Sequence, residues 1–167
     1  MLGAKVGSGC RFRRASFVFM RQTIQTPKET RMLGVSTYSQ EYIDACHAAV
    51  DAQLAAYADV TRAAGDAAAI AAFGPRFLNH MVLALDFYFC HRLRGKEGKD
   101  GNALNEVRVL ANSITHGGAV LTVDKTIRLQ AATSVLGLEY GDLIRLTSDD
   151  FARLAAAFFA ELERRFL

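Results

Sequence analysis

Three side chains capable of proton transfer lie in the most apolar stretch of the chain, residues 77–93: His80, Asp86 and His91. A carboxylate in apolar surroundings has its pKa raised by burial and can act as a general acid or base, and histidine titrates near neutrality unaided. Asp86, His80 and His91 are therefore the candidate catalytic residues, suited to general acid–base chemistry on a phosphate-containing or nucleotide substrate. The competing expectation for Asp86 is structural: a carboxylate tied to an arginine that organises packing. His80 and His91 are eleven residues apart, so on one helix they share a face with attachment points about 16 Å apart, too far to ligate one ion. Cys46-His47 and Cys90-His91 are sequence neighbours that point about 100° apart on a helix, so neither pair supplies two ligands to a metal. No metal site is expected.

The second candidate follows directly. Residues 92–102, RLRGKEGKDGN, place glycines at 95, 98 and 101 among four cations. Backbone amides freed by glycine, together with Arg92, Arg94, Lys96 and Lys99 and with Asn105 and Arg108 on the next helix, form a candidate cradle for a small anionic ligand, a phosphate or carboxylate. Glu97 and Asp100 cancel half of the loop's positive charge. The competing account is a helix-to-helix connection kept soluble by its charges. The loop has neither P-loop spacing nor the dinucleotide fingerprint, so no cofactor is expected. No nucleophile elbow and no kinase or zincin signature occurs.

These residues need elements to position them. Thr37 with Gln40 is a capping-box signal, and Ile43, Cys46, Val50, Leu54 and Tyr57 recur at helical spacing, which predicts a helix over 38–64. Gly65-Asp66 stops it, and Gly74-Pro75 breaks the chain again, so the next long helix is expected over 75–94. Its residues Phe77, Leu78, Met81, Val82, Leu85, Tyr88, Phe89 and Leu93 fill an apolar arc too wide for a surface stripe, marking the central core helix. Asn102 caps a helix over 103–115 that His116-Gly117-Gly118 ends. Residues 120–123, 126–129 and 142–146 read as β-prone. Thr147 with Asp150 caps a final amphipathic helix bearing Phe151, Leu154, Phe158, Leu162 and Phe166. The fold class expected is mainly α: a four-helix bundle-like domain with a small antiparallel β-hairpin element before the last helix.

The chain has 167 residues, 51% hydrophobic and 22% charged, which suits one globular unit and excludes collagen-like, mucin-like and disulfide-scaffold proteins. Its net charge of +3 is unevenly placed: residues 1–31 carry seven cations against Glu29, a net +6, which leaves −3 for the remainder. Residues 1–36 read as a basic, disordered N-terminal extension, with Met20 and Met32 as possible internal starts, and 37–167 as a single helical domain. An acidic body disfavours nucleic acid as a partner. No run of about 20 apolar residues marks a membrane span. An odd set of three cysteines without a CxxC pair fits free thiols in the cytoplasm. Two functions are compatible with these features. One is a non-catalytic ligand-binding or protein-interaction module whose partner is a small anion or a protein, including a second copy of itself as a homodimer. The other is the acid–base enzyme described above.

The segment FLNHMVLALDFYFCHRLRGKEGKDGNALNEVR, residues 77–108, together with SVLGLEYGDLIRLT, resembles a family of small bacterial helical proteins with no known activity. The runs HRLRGKEGKDGN and NEVR carry the resemblance, which covers most of 38–167. It implies a cohesive single domain and supplies no chemistry. DinB-like metal-dependent bundles use a paired HxxxH spacing that this chain lacks. Arg108 and His116 resemble the Arg and His pair of helical HEPN-type ribonucleases, but the seven residues between them exceed that motif's spacing.

Overall fold

A computed structural model describes residues 34–167. The chain divides into two units, Met1–Arg31 and Met32–Leu167, and all that follows concerns the second. The extension expected over 1–36 lies outside the described residues as far as residue 33.

Ser39 opens the first helix by accepting the Tyr42 N–H at 3.2 Å, and α1 runs Gln40–Ala63 with Ile43, Cys46 and Val50 turned inward. Asp66 caps the second by accepting from the amides of Ala68 and Ala69 at 2.9 and 3.0 Å. From there α2 runs Ala67–Tyr88 without interruption, carrying Pro75 inside it. The break expected at Gly74-Pro75 does not occur. The capped, alanine-rich turns before the proline have high helix propensity, and Pro75 costs one backbone bond. Gly74 serves a different end: a Cβ there would overlap the Tyr57 hydroxyl, so the glycine makes room for that ring.

α2 also stops earlier than the expected residue 94. The apolar arc therefore holds through Leu78, Met81, Val82, Leu85 and Phe89, all buried, and fails at Leu93, 37% exposed beyond the helix end. A single turn, α3, spans Arg94–Glu97; α4 spans Ala103–His116 behind the Asn102 cap; and α5 spans Ser148–Phe166 behind a Thr147/Asp150 capping box. α2, α4 and α5 pack on one another, and α1 lies against α2 and α5. Phe89 meets Phe158 and Phe159 at ring-centroid distances of 5.7 and 6.1 Å, with Tyr38 edge-on at 5.0 Å. By length and composition, α2 is long and apolar enough to cross a membrane; in this fold it is the core helix, and Asn79 and Asp86 bond it to the rest of the domain.

The described residues are all-α, five helices with no β-strand, so the expected hairpin is absent. Two isolated bridges occur, Val35 with Arg92 and Val120 with Leu143. The β-prone pattern did mark buried positions at Leu121, Ile127, Leu129, Ile144 and Leu146, though not at Val123, which is 63% exposed. What it could not report is where the backbone finds its hydrogen bonds. In residues 117–147 the bonds are divided: Leu121 N–H donates to Asp142 O at 2.8 Å, Gly141 N–H to Leu121 O at 2.9 Å and Ile144 N–H to Ala119 O at 2.7 Å, while helix side chains take several of the remaining groups. Asn79 on α2 copies a peptide group, donating to the Ile144 carbonyl at 2.8 Å and accepting from the Leu146 amide at 3.3 Å. Glu106 on α4 accepts the amides of Val135 and Leu136 at 2.7 and 3.0 Å. Ser113 on α4 accepts the amide of Thr122 at 3.0 Å. The ladder beginning at Val120 and Leu143 ends after one bridge because the next groups are already claimed.

Asn79→Ala leaves a buried carbonyl and a buried amide without partners, and should lower unfolding stability by about 1–3 kcal/mol, with faster amide exchange at Leu146, both measurable by denaturant titration and hydrogen exchange. Glu106 offers a pH test. Burial pushes its carboxyl above the ordinary 4.5, outweighing the two amides and the attraction of Arg153. The folded state then holds a proton that the unfolded chain releases, so between these two pKa values the Glu106 contribution to stability falls as pH rises. Stability measured from pH 4.5 upward should show a component of negative slope that Glu106→Gln removes.

Candidate functional site

The polar centre of the molecule is built where α2 ends. Phe89 closes the helix with its amide on the Asp86 carbonyl, and the Arg92 amide bonds the Phe89 carbonyl at 3.1 Å to complete a tight reversal. Val35 holds that reversal in place: its N–H donates to His91 O at 2.7 Å and its carbonyl accepts the Leu93 N–H at 2.8 Å. The bridge leaves His91 and Leu93 outward and turns Arg92 inward, where its side chain is fully enclosed. Arg92 donates to Asp86 Oδ1 at 2.8 Å, to the Phe89 carbonyl at 3.0 Å and to the Leu104 carbonyl at 3.2 Å, with its guanidinium 5.6 Å from the Phe158 ring centre.

Glu97, on α3, faces Arg92 from the other side, and its side chain is also fully enclosed. One of its oxygens lies 3.3 Å from Arg92 Nε and 3.1 Å from Arg94 Nη1 and also contacts Arg108 Nη2. The other accepts from Asn105 Nδ2 at 3.2 Å and Arg92 Nη2 at 3.4 Å. Three guanidinium groups and an amide thus converge on one carboxylate. Two of those arginines come from the turn and α3, while Arg108 and Asn105 come from α4. With Asp86 included, three cations stand against two anions. Burial and the neighbouring Arg92 lower the pKa of Arg94, while the charges of Asp86 and Asp124 oppose that shift. Removing such charges from water is expensive unless the partners are complete, and here they nearly are. Among buried side-chain atoms, those without an aligned hydrogen bond are Arg92 Nε, Arg108 Nε and Arg108 Nη2, and the first and last of these contact Glu97 as ion pairs.

The glycine loop is spent on the same structure. Gly98 and Gly101 have φ of 75° and 82°, in the region favouring glycine, and a Cβ on Gly101 would overlap the carbonyl of Arg128. The Gly98 amide donates to Arg94 O at 3.3 Å and the Gly101 amide to Asn105 Oδ1 at 3.0 Å. Neither is free for an anion. Arg165 at the end of α5 clamps the loop from outside, donating to the Glu97 carbonyl at 2.9 Å and pairing with Asp100 at 3.0 Å.

The expected site residues therefore separate into distinct places. Arg92, Arg94, Arg108 and Asn105 are brought together, but around Glu97. Lys96 reaches away to the Ser36 carbonyl at 2.7 Å, with its ammonium 5.4 Å from the Phe166 ring centre. Lys99 is exposed on the loop's far side. Asp86 belongs to Arg92, while His80 is exposed with Nδ1 2.7 Å from the Arg76 carbonyl, and His91 is exposed beyond the helix. No contact joins either histidine to Asp86. His116 is exposed in the last turn of α4, while Arg108 is held by Glu97. Among the described residues, no three His, Cys, Asp or Glu side chains gather as a metal would require.

Glu97 and Arg165 are the residues that sequence reasoning missed. The available signal was local: between Arg92 and Lys99 Glu97 is the sole acid, three residues from Arg94. It counted as a cancelled surface charge because nothing in the spacing shows that the turn is buried. Against models of protein families, curated proteins and solved structures, the chain has no match in any of the three.

Removing the shared anion should be far worse than removing its most exposed partner. Glu97→Gln is expected to cost about 3–5 kcal/mol, because it leaves enclosed arginines uncompensated. Arg94→Ala, which removes a pair whose arginine is 56% exposed, should cost under about 1 kcal/mol. Equilibrium unfolding of the two variants gives the ranking directly.

Proposed function

We propose that the domain is a non-catalytic binding module for a small anionic ligand or a protein partner, working in the cytoplasm. The observation that carries this reading is the enclosure of the Glu97 network. Arg92 and Asn105 are bonded inside the fold, Arg108 is ion-paired with Glu97, and Asp86 is paired with Arg92. A general acid must exchange protons with a substrate within hydrogen-bond reach. Asp86 held by an enclosed guanidinium, with His80 and His91 exposed apart from it, offers no such arrangement, which weakens the alternative of an enzyme on a phosphate-containing or nucleotide substrate. The charges left for a ligand are those at the rim.

Association with a second copy or another protein belongs to the same proposal and draws on Phe87, which is 74% exposed near the end of α2. The cytoplasmic setting draws on Cys46 and Cys90, both free thiols. The resemblance of residues 77–108 to a family of small bacterial proteins is retained as a proposal on its sequence motifs.

A thermal-shift screen of phosphorylated, nucleotide and acyl-CoA compounds, with every compound followed for product by NMR, tests the module against the enzyme. The expected outcome is a saturable rise in Tm, as for any ligand that binds the native state alone, with no turnover. Turnover that disappears in a folded Asp86→Asn variant would replace the module with an acid–base enzyme.

A further inference from the structure

Apart from the Glu97 network, one concave site is lined by charged and polar side chains alone. Lys99 and Asp100 of the glycine loop face Lys125, Thr126 and Arg128 across a basin of 580 Å³, a volume within the range of about 300–1,000 Å³ common for small-molecule sites. Residues 99 and 128 are distant in sequence and are pinned side by side: the Arg128 amide donates to the Lys99 carbonyl at 3.0 Å, and Gly101 lies against the Arg128 carbonyl where a side chain could not fit. The opposite wall is an Asx turn in which Asp124 accepts both the amide and the hydroxyl of Thr126 at 2.7 Å. One wall is held by a backbone bond and the other by the Asp124 side chain, so the basin does not depend on the three cations that surround it.

Those cations are uncommitted. Among the described residues, the side chains of Lys99, Lys125 and Arg128 form no salt bridge and no hydrogen bond, whereas nearly every other arginine and lysine around the loop is paired. Two acids lie beside them: Asp100, in the basin's lining, is paired with Arg165 at 3.0 Å and bonded by Asn102, and Asp124 is bonded by Thr126. In a body with a net charge of −3 over residues 32–167, the hollow thus gathers three cations without direct ion pairs against these two carboxylates. No apolar or aromatic side chain lines it to hold a base, an acyl chain or a sugar face.

We propose that this basin, between the glycine loop and the 124–128 turn, is the binding site for a phosphate-rich small molecule recognised through adjacent phosphate groups. The proposal rests on the binding-module reading above and names its ligand class. It also relocates the anion site: Lys99 keeps its assigned role, while Lys125 and Arg128 replace Arg92, Arg94 and Lys96.

The test uses the full, isotope-labelled chain titrated with sodium tripolyphosphate and separately with ATP, the two sources of the same chemistry, against sodium chloride at matched ionic strength. Saturating amide shifts are expected at residues 99–101 and 125–128, with similar affinities for the two probes, since nothing in the basin grips a base. The triple variant Lys99→Gln/Lys125→Gln/Arg128→Gln should keep a native spectrum and bind at least about tenfold more weakly, given the strength of charge-assisted hydrogen bonds. Arg62→Gln/Arg76→Gln, which removes cations elsewhere, should bind as the parent does. Shifts confined to residues 1–31, equal shifts with chloride, or undiminished binding by the triple variant would each overturn the site. Phosphorus NMR on the same samples separates the two levels: release of orthophosphate that Asp86→Asn abolishes would overturn the non-catalytic reading while leaving the site in place, and absence of any tripolyphosphate shift would overturn the site alone.

Discussion

A carboxylate fully removed from water, with three arginines drawn around it, is the constraint on which the rest of this structure depends. Glu97 sits on a helix of one turn that could not persist alone. It persists because Arg92 arrives from the end of α2, Arg108 and Asn105 arrive from α4, and the Asn102 cap donates to the Glu97 carbonyl at 2.9 Å. The turn after Phe89, the glycine φ angles, the start of α4 and the docking of Arg165 from α5 all serve the same requirement, that the enclosed carboxylate keep its partners. Partial satisfaction would be worse than an apolar core, because an uncompensated buried charge costs several kcal/mol.

A second economy governs residues 117–147. Their apolar side chains are buried in an alternating way that would suit strands, yet the segment has no sheet to join. Beside the backbone bonds that join 119–121 to 141–144, three polar side chains on helices, Asn79, Glu106 and Ser113, offer the donor or acceptor that a peptide group would have offered. These bonds hold a long irregular segment over the helical core.

The interior therefore consumes its own chemistry. Side chains enclosed with matched partners are poor candidates for proton transfer or anion capture, and the groups free to meet a ligand lie where two backbone segments are joined rather than where polar residues are densest in sequence. Lys99, Lys125 and Arg128 become neighbours only because Gly101 admits the 128 backbone. The glycine loop does help make an anion-binding surface in this view, by close packing and not by presenting free amides.

Much of the fold was legible in the chain because the controlling interactions are local. Asn102 and Thr147 with Asp150 mark helix starts by bonds spanning a few residues, and the apolar faces of α2 and α5 follow from a fixed angular repeat, whereas Asp66, which reads as a stop, opens α2. The charge division at residue 31 is likewise a property of sequence alone. What the tertiary structure decided is everything that depends on which distant group answers a polar atom. Alternation at 120–129 and 142–146 specifies burial, and cannot say whether the hydrogen bonds go to a strand or to Asn79 and Glu106. Proline after glycine specifies a local preference, which a capped alanine-rich turn overrode. A glutamate among arginines and lysines looks like surface charge until the chain reverses at Phe89 and encloses it. Desolvation and long-range pairing have no sequence period, so the identity of the central residue, Glu97, and the place of the uncommitted cations emerged only with the packed chain.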